Sequence, residues 1–235
     1  MKKSKYNTIL DVFNILNVNN VPYVVLRNYE NLLEPEMYME GHGDVDILCA
    51  DSQVIVKLLG AQTTRKDQPP FVGDGTHYYI YVGGAEVSLD LRYVGDDYYC
   101  KEWQDEILSK RVAHNGFFVM DEENYFYSLI YHAILQKKKL TNEYQKRLLK
   151  NAKKLQVAVG EAGEVDFINL LNAFMRNKGF RYTYPIDFYV PCRFHLVDKR
   201  LVQNNWKRIF CHRKFECTVN TIEFLVWIKH SLFKK

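Results

Sequence analysis

The chain has 235 residues, 47% hydrophobic and 26% charged, an ordinary globular balance that suits one large domain or two small ones. A net charge of +4 is too small to argue for nucleic acid, so no specific nucleic-acid partner is expected; Glu223 and Lys229 break the longest apolar stretch near the C-terminus, so no bilayer-spanning helix is expected either. The five cysteines (Cys49, Cys100, Cys192, Cys211, Cys217) lack disulfide-like spacing and no signal peptide is evident, which predicts a reducing, cytoplasmic setting.

In chain order, residues 5–18 carry Ile9, Leu10, Val12, Phe13, Ile15 and Leu16 at helical spacing, and Asn19-Asn20 closes that helix. Val21 to Leu26 reads as a short apolar strand, and Asn28 to Met39 as a loop or broken helix around Pro35. The turn Gly41-His42-Gly43 leads into a strand from Asp44 to Cys49. Asp51 can cap a helix from Ser52 to Leu59 that Gly60 ends. Residues 61–76, with Pro69-Pro70, read as a mobile loop. His77 to Val82 and Glu86 to Val94 alternate as strands about Gly83-Gly84, a hairpin signal. Asp96-Asp97 can cap a helix around Glu102–Lys110 or extend an acidic site, and Arg111 to Met120 reads as a hairpin turning on Asn115-Gly116. From Asp121 the period turns helical: Asp121 to Gln136, Thr141 to about Val159 and Val165 to Asn177. Phe180 to Cys192 is aromatic, proline-bounded and irregular or extended, and Val219 to Lys235 is an amphipathic helix bearing Trp227 and Phe233. This order predicts an α+β fold, a sheet-bearing domain over 1–120 followed by a mainly helical domain over 121–235 with a basic end.

Two short strands carry the chemistry. Successive strand residues point to opposite faces, so Asp44 and Asp46 share one face while Val45 and Ile47 share the other. Side-by-side carboxylates repel unless a cation sits between them, and oxygen-only ligation suits Mg²⁺ or Mn²⁺. The bland reading of the same pattern is a solvated polar face. In Ala85 to Val94, Val87, Leu89, Leu91 and Tyr93 face inward while Ser88, Asp90 and Arg92 face the other way. If this strand lies beside the first, Asp90 joins Asp44 and Asp46, and three converging carboxylates can hold two ions on one phosphate chain.

These phrases resemble a known group. Asp44-Val45-Asp46-Ile47 followed by Leu89-Asp90-Leu91 is similar to the nucleotidyltransferase fold of polymerase-beta-like enzymes. More narrowly, Tyr23-Val24-Val25-Leu26-Arg27-Asn28-Tyr29-Glu30, Gly43-Asp44-Val45-Asp46 and Leu89-Asp90-Leu91-Arg92-Tyr93-Val94-Gly95 resemble nucleotidyltransferase-like proteins of bacterial surface-polysaccharide loci, over roughly residues 5–135. The resemblance implies a small mixed-sheet domain followed by a helical one, with the substrate cleft between them. It implies a transferase moving a nucleotidyl or substituted phosphoryl group from a nucleoside triphosphate or CDP-linked alcohol to a glycan or small-molecule hydroxyl. Asp44, Asp46 and Asp90 are then the catalytic and metal-binding residues, with Asp90 taking the acceptor's proton, and Arg27, Asn28, Gly43 and Arg92 contact the nucleotide. One departure stands out: Arg27-Asn28 occupies the place where the superfamily has Gly-Gly or Gly-Ser to cradle phosphates, and an arginine there can serve as the phosphate clamp. Two alternatives stay open: a glycosyltransferase whose D-x-D holds the metal of a nucleotide-sugar, and a degenerate fold that binds a nucleotide, glycan or partner protein without turnover.

Lys137-Lys138-Lys139 and His132 can reach the cleft or serve as a solvated helix end and a satisfied histidine. Cys192, His195, Cys211, His212 and Cys217 fit no common structural zinc module by spacing. No Gly-x-Ser-x-Gly, Walker or His-Glu-x-x-His motif occurs. From Arg193 onward, ten Lys/Arg stand against three Asp/Glu, which suggests an anionic partner, either a membrane surface at the inner face or a phosphorylated carrier, or simply a solvated basic tail. The C-terminal helix either lies at a membrane interface or packs on the helical bundle, and the two differ in whether its apolar stripe is covered.

Overall fold

The computed structural model describes residues 5–34, 44–64, 76–137, 139–157 and 166–232, with the backbone alone at 223 and 226–232. The turn at Gly41-His42-Gly43, Pro35, most of the loop before Thr76, Lys138 and Phe233 therefore lie outside the described residues, as does the Trp227 side chain. Seven strands form one sheet: β1 (Tyr23–Val25), β2 (Val45–Cys49), β3 (Gln62–Thr63), β4 (His77–Val82), β5 (Ala85–Tyr93), β6 (Val112–His114) and β7 (Phe117–Val119). Their order is β3-β4-β5-β2-β1-β7-β6, with β2–β5 and β1–β7 parallel and the other pairs antiparallel. The sheet is mixed, helices dominate after it, and the fold is α+β as expected.

Local punctuation explains the early elements. Helix α1 (Ile9–Val18) starts in a capping box: Thr8 Oγ1 accepts from the Asp11 N–H at 3.3 Å, and Asp11 Oδ2 accepts from the Thr8 N–H at 2.9 Å. Helix α2 (Ser52–Leu59) is capped by Asp51 and stops at Gly60, whose φ of 63° is the left-handed conformation that glycine adopts freely. The β6–β7 hairpin turns on Asn115 (φ 47°) and Gly116 (φ 92°), both positive as a tight primed turn requires.

Other elements depart from the sequence reading. Helix α3 (Lys101–Ser109) begins after Cys100 with no side-chain cap, and neither Asp96 nor Asp97 caps it. Asp96 is instead buried and accepts from the Tyr98 N–H at 2.8 Å and from Gln104 Nε2 at 2.6 Å. Helix α4 (Glu122–Ile130) runs into a π-helical turn, Tyr131–Leu135. Helices α5 (Asn142–Lys154) and α6 (Phe167–Lys178) follow. Helix α7 spans Trp206–Leu232 and starts well before Val219, because Asn205 Oδ1 accepts from the Arg208 N–H at 3.2 Å and no glycine or proline follows Pro191. No described helix is long and apolar enough to cross a membrane.

The two faces of the sheet pack differently. Tyr23, Val25, Ile47, Leu89 and Leu91 pack with Ile9, Phe13 and Leu16 of α1 and Ile55 of α2. Val24, Leu26 and Leu48 turn the other way, into an aromatic core of Tyr99, Trp103, Tyr131, Phe174 and Phe180. Trp103 stacks on Phe180 at 5.8 Å, and its Nε1–H donates to Asn124 Oδ1 at 2.7 Å, so the indole's one donor is satisfied. The chain passes from sheet to helices at 120/121, and this core runs across that point without a break.

Candidate functional site

The parity of β2 and β5 decides where the charges go. Their odd-numbered residues face α1 and α2, so Asp44, Asp46, Asp90 and Arg92 lie on the side of the helical half. β2 and β5 run parallel with Asp46 opposite Asp90, and antiparallel β4 places His77 opposite Asp90. One row across three strands therefore reads Asp46, Asp90, His77. Asp44 lies one pleat along, next to Ser88.

A cavity of about 370 Å³ opens over this row. Arg27, Asn28, Asp44, Asp46, Asp90 and Arg92 line it, while Gly43 lies outside the described residues. The helical half contributes His132, Gln136, Lys137, Tyr144 and Asp187 to the same cavity.

Arg27, Arg92, Asp46, Asp90 and Asp187 are paired. Arg27 Nη2 meets Asp46 Oδ1 at 2.9 Å, and its Nη1 donates to the Tyr98 hydroxyl at 3.0 Å. Arg92 Nη2 bridges Asp90 Oδ2 at 2.8 Å and Asp187 Oδ2 at 3.1 Å, with the guanidinium 4.6 Å from the Tyr98 ring. His77 Nε2 closes a ring, 3.5 Å from Asp90 Oδ1 and 3.6 Å from Asp187 Oδ2. Arg92, on the Asp90 face as strand alternation places it, is buried beneath the segment around Asp187. Asn28 sits at φ 55°, and its Oδ1 accepts from Arg147 Nη1 at 2.9 Å, which tethers it to α5 at the cavity's edge.

Electrostatics follow from crowding. Partial burial, then Asp46 and Asp90, push the Asp44 carboxyl up. Burial pushes Asp46 up as well, against the pull of Arg27. Burial alone would pull Arg27 and Arg92 down, yet Asp46 holds the first and Asp90 the second far above the ordinary range. The Tyr98 hydroxyl is pushed up to about 12 by burial and stays neutral. His132, held by Tyr144 OH at 3.1 Å and Gln136 Oε1 at 3.2 Å, is pushed well down by burial and then by Arg27, so it is uncharged at neutral pH.

The donor set suits a hard divalent cation chemically, being three carboxylates on neighbouring pleats, and Asp90 Oδ1 is buried yet accepts no hydrogen bond among the described residues. Among the described residues no preformed group of three or more His, Cys, Asp or Glu stands ready to hold a metal; the two arginines supply the counter-charge. The same holds for the cysteines and histidines near the C-terminus, where Cys192 Sγ lies 4.0 Å from His212 Nδ1 without a wider cluster.

Sequence reasoning missed His77, Tyr98, Tyr144 and Asp187. His77 shares the face of Asp90, a parity that the hairpin signal contains once its register is fixed. Asp187 comes from an irregular segment between Pro185 and Pro191, and no periodicity marks it.

No protein-family model matches the chain, and no curated protein matches it. Among solved structures, the chain is similar to the solution structure of the antibiotic-resistance factor ANT(2'')-Ia over 73% of its own length and 90% of that chain, with 10% sequence identity and a TM-score of 0.39.

Proposed function

We propose that this chain is a metal-dependent transferase of the nucleotidyltransferase fold, moving a nucleotidyl or substituted phosphoryl group from a nucleotide to a hydroxyl acceptor in bacterial surface-polysaccharide assembly. The observation that carries the reading is the meeting of Asp44, Asp46 and Asp90 on one face of parallel neighbours, at one cavity. These three carboxylates would hold Mg²⁺ or Mn²⁺, which when bound supplies charge neutralisation to a nucleotide's phosphates. Asp90, with an oxygen that accepts no hydrogen bond among the described residues, takes the proton of the attacking hydroxyl. Arg27 stabilises charge developing on the transferred phosphate. Arg92, gripped between Asp90 and Asp187, fixes the Asp90 carboxylate. The acceptor is a glycan or another hydroxyl-bearing small molecule.

The donor is decided by the leaving group. The full chain is incubated with Mg²⁺, hydroxyl acceptors and a panel of triphosphates, CDP-linked alcohols and nucleotide-sugars. Pyrophosphate release accompanies nucleotidyl transfer, because the acceptor oxygen bonds to the α-phosphorus of a triphosphate. CMP release accompanies phosphotransfer from a CDP-alcohol, and release of a nucleoside diphosphate marks the glycosyltransferase alternative. Asp44→Asn and Asp90→Asn should each abolish the release seen; full activity of either variant refutes the assignment.

A second reading has its own support. Arg27 and Arg92 already neutralise Asp46 and Asp90, and Arg27-Asn28 stands where phosphate-cradling glycines are expected, which favours a nucleotide- or glycan-binding module without turnover. Mg²⁺-dependent binding of a panel member with no product from any donor would select it.

A further inference from the structure

Helix α7 meets the rest of the chain along one side. His212 Nε2–H donates to the Pro185 carbonyl at 2.7 Å, and the Phe215 ring packs edge-on against Tyr189 at 4.7 Å. At 3.6 residues per turn, Trp206, Phe210, Cys217 and Phe224 fall within about 40° of one another, on the side turned away from His212, Phe215 and Val219. Trp206, Phe210 and Phe224 are 69%, 63% and 58% exposed. Basic residues border this stripe on both edges, Arg213 on one and Lys207 and Lys214 on the other, with Lys207 Nζ 5.7 Å from the Trp206 ring. From Trp206 to Phe215 there are four Lys/Arg and no Asp or Glu. The outward side thus carries exposed apolar residues over a length of about 27 Å, where a surface helix usually presents polar ones.

We propose that the outward face of α7 docks on an anionic lipid bilayer surface. Trp206 and Phe210 enter the headgroup layer, and Lys207, Arg213 and Lys214 rest against lipid phosphates. Three features select a bilayer. An apolar stripe with cations along both edges matches a planar negative surface with an apolar interior, and tryptophan is suited to the boundary between them. Pairing this stripe with a second copy about a two-fold axis would set the same cations against each other. The acid-free stretch beside Trp206 and Phe210 puts the positive charge where those rings would insert. None of this depends on the transferase reading.

Vesicle flotation of the full chain tests it, comparing pure phosphatidylcholine with mixtures containing phosphatidylglycerol. The chain should float with the anionic vesicles only, and less at raised salt. Trp206→Glu with Phe210→Glu should abolish flotation, and Lys207→Glu with Lys214→Glu should lower the partition coefficient at least about tenfold. All four positions are exposed, so the far-ultraviolet circular dichroism and melting temperature of both variants should match wild type. The proposal is overturned by absence of flotation, by equal binding to neutral and anionic vesicles, or by variants that bind like wild type. Light scattering that finds a dimer dissociated by Trp206→Glu also overturns it, in favour of a second copy as the occupant.

Discussion

Leu89 and Asp90 are adjacent in sequence and face opposite sides of one sheet. Leu89 lies in an apolar layer with Ile47, Phe13 and Ile55, where only shape has to match. Asp90 lies in a row where every charge has a partner: Asp46 with Arg27, and Asp90 and Asp187 with Arg92. The first face is held by many interchangeable contacts. The second is held by few, each of which leaves a buried charge when broken. A layer of the first kind makes a stable platform, and a layer of the second kind can exchange partners when a charged ligand arrives.

The sharpest way to break the charged face is Asp46→Ala. It strands the buried Arg27 guanidinium and should cost about 3–5 kcal/mol in urea unfolding, whereas Arg27→Met with Asp46→Leu should cost clearly less than the single change. On the apolar face Leu89→Ala should cost about 3 kcal/mol through the cavity it leaves. Asp90→Asn, one residue along, should cost less than about 1.5 kcal/mol because Asp187 still faces Arg92, while its effect on ligand binding should be far larger.

A pH titration sharpens the same contrast. Burial raises the Asp96 carboxyl from 3.8 to about 6. The folded chain thus binds that proton more tightly than the unfolded chain, a contribution fully present below pH 4 and lost as pH rises through 6. Wild-type stability measured against Asp96→Asn should fall by about 2 kcal/mol between pH 4 and pH 7, and a flat difference would contradict the burial of the charge. The smallest effect belongs to α1, which covers the apolar face: Thr8→Ala should lower stability by about 1 kcal/mol through loss of its capping box, read as a shift in the urea midpoint.

What could be read from the sequence is what local chemistry dictates. Asp51 and Gly60 bound α2, and Gly83-Gly84 and Asn115-Gly116 place hairpins, because each acts within a few residues. Strand parity puts Asp44 and Asp46 on one face of their strand, and Asp90 opposite Leu89 and Leu91 on its own, before any pairing is known. The pairing of β2 with β5 and the burial of Arg92 beneath the segment around Asp187 depend on distant packing, which no short window contains. The start of α7 was hidden for another reason. Trp206 to Phe215 puts basic and aromatic residues on every side, so no single apolar face marks a helix.

The most direct test of the shared carboxylate site is thermal unfolding of wild type and Asp44→Asn with the nucleotide panel, with and without Mg²⁺. Asp44 makes no ion pair among the described residues, so removing its charge strands no arginine. One nucleotide class should stabilise the wild type only when Mg²⁺ is present, by about 3 kcal/mol at about a hundredfold excess over Kd, and the variant should lose that gain. Equal stabilisation of both proteins, or stabilisation indifferent to Mg²⁺, would contradict a metal–nucleotide site built on Asp44, Asp46 and Asp90.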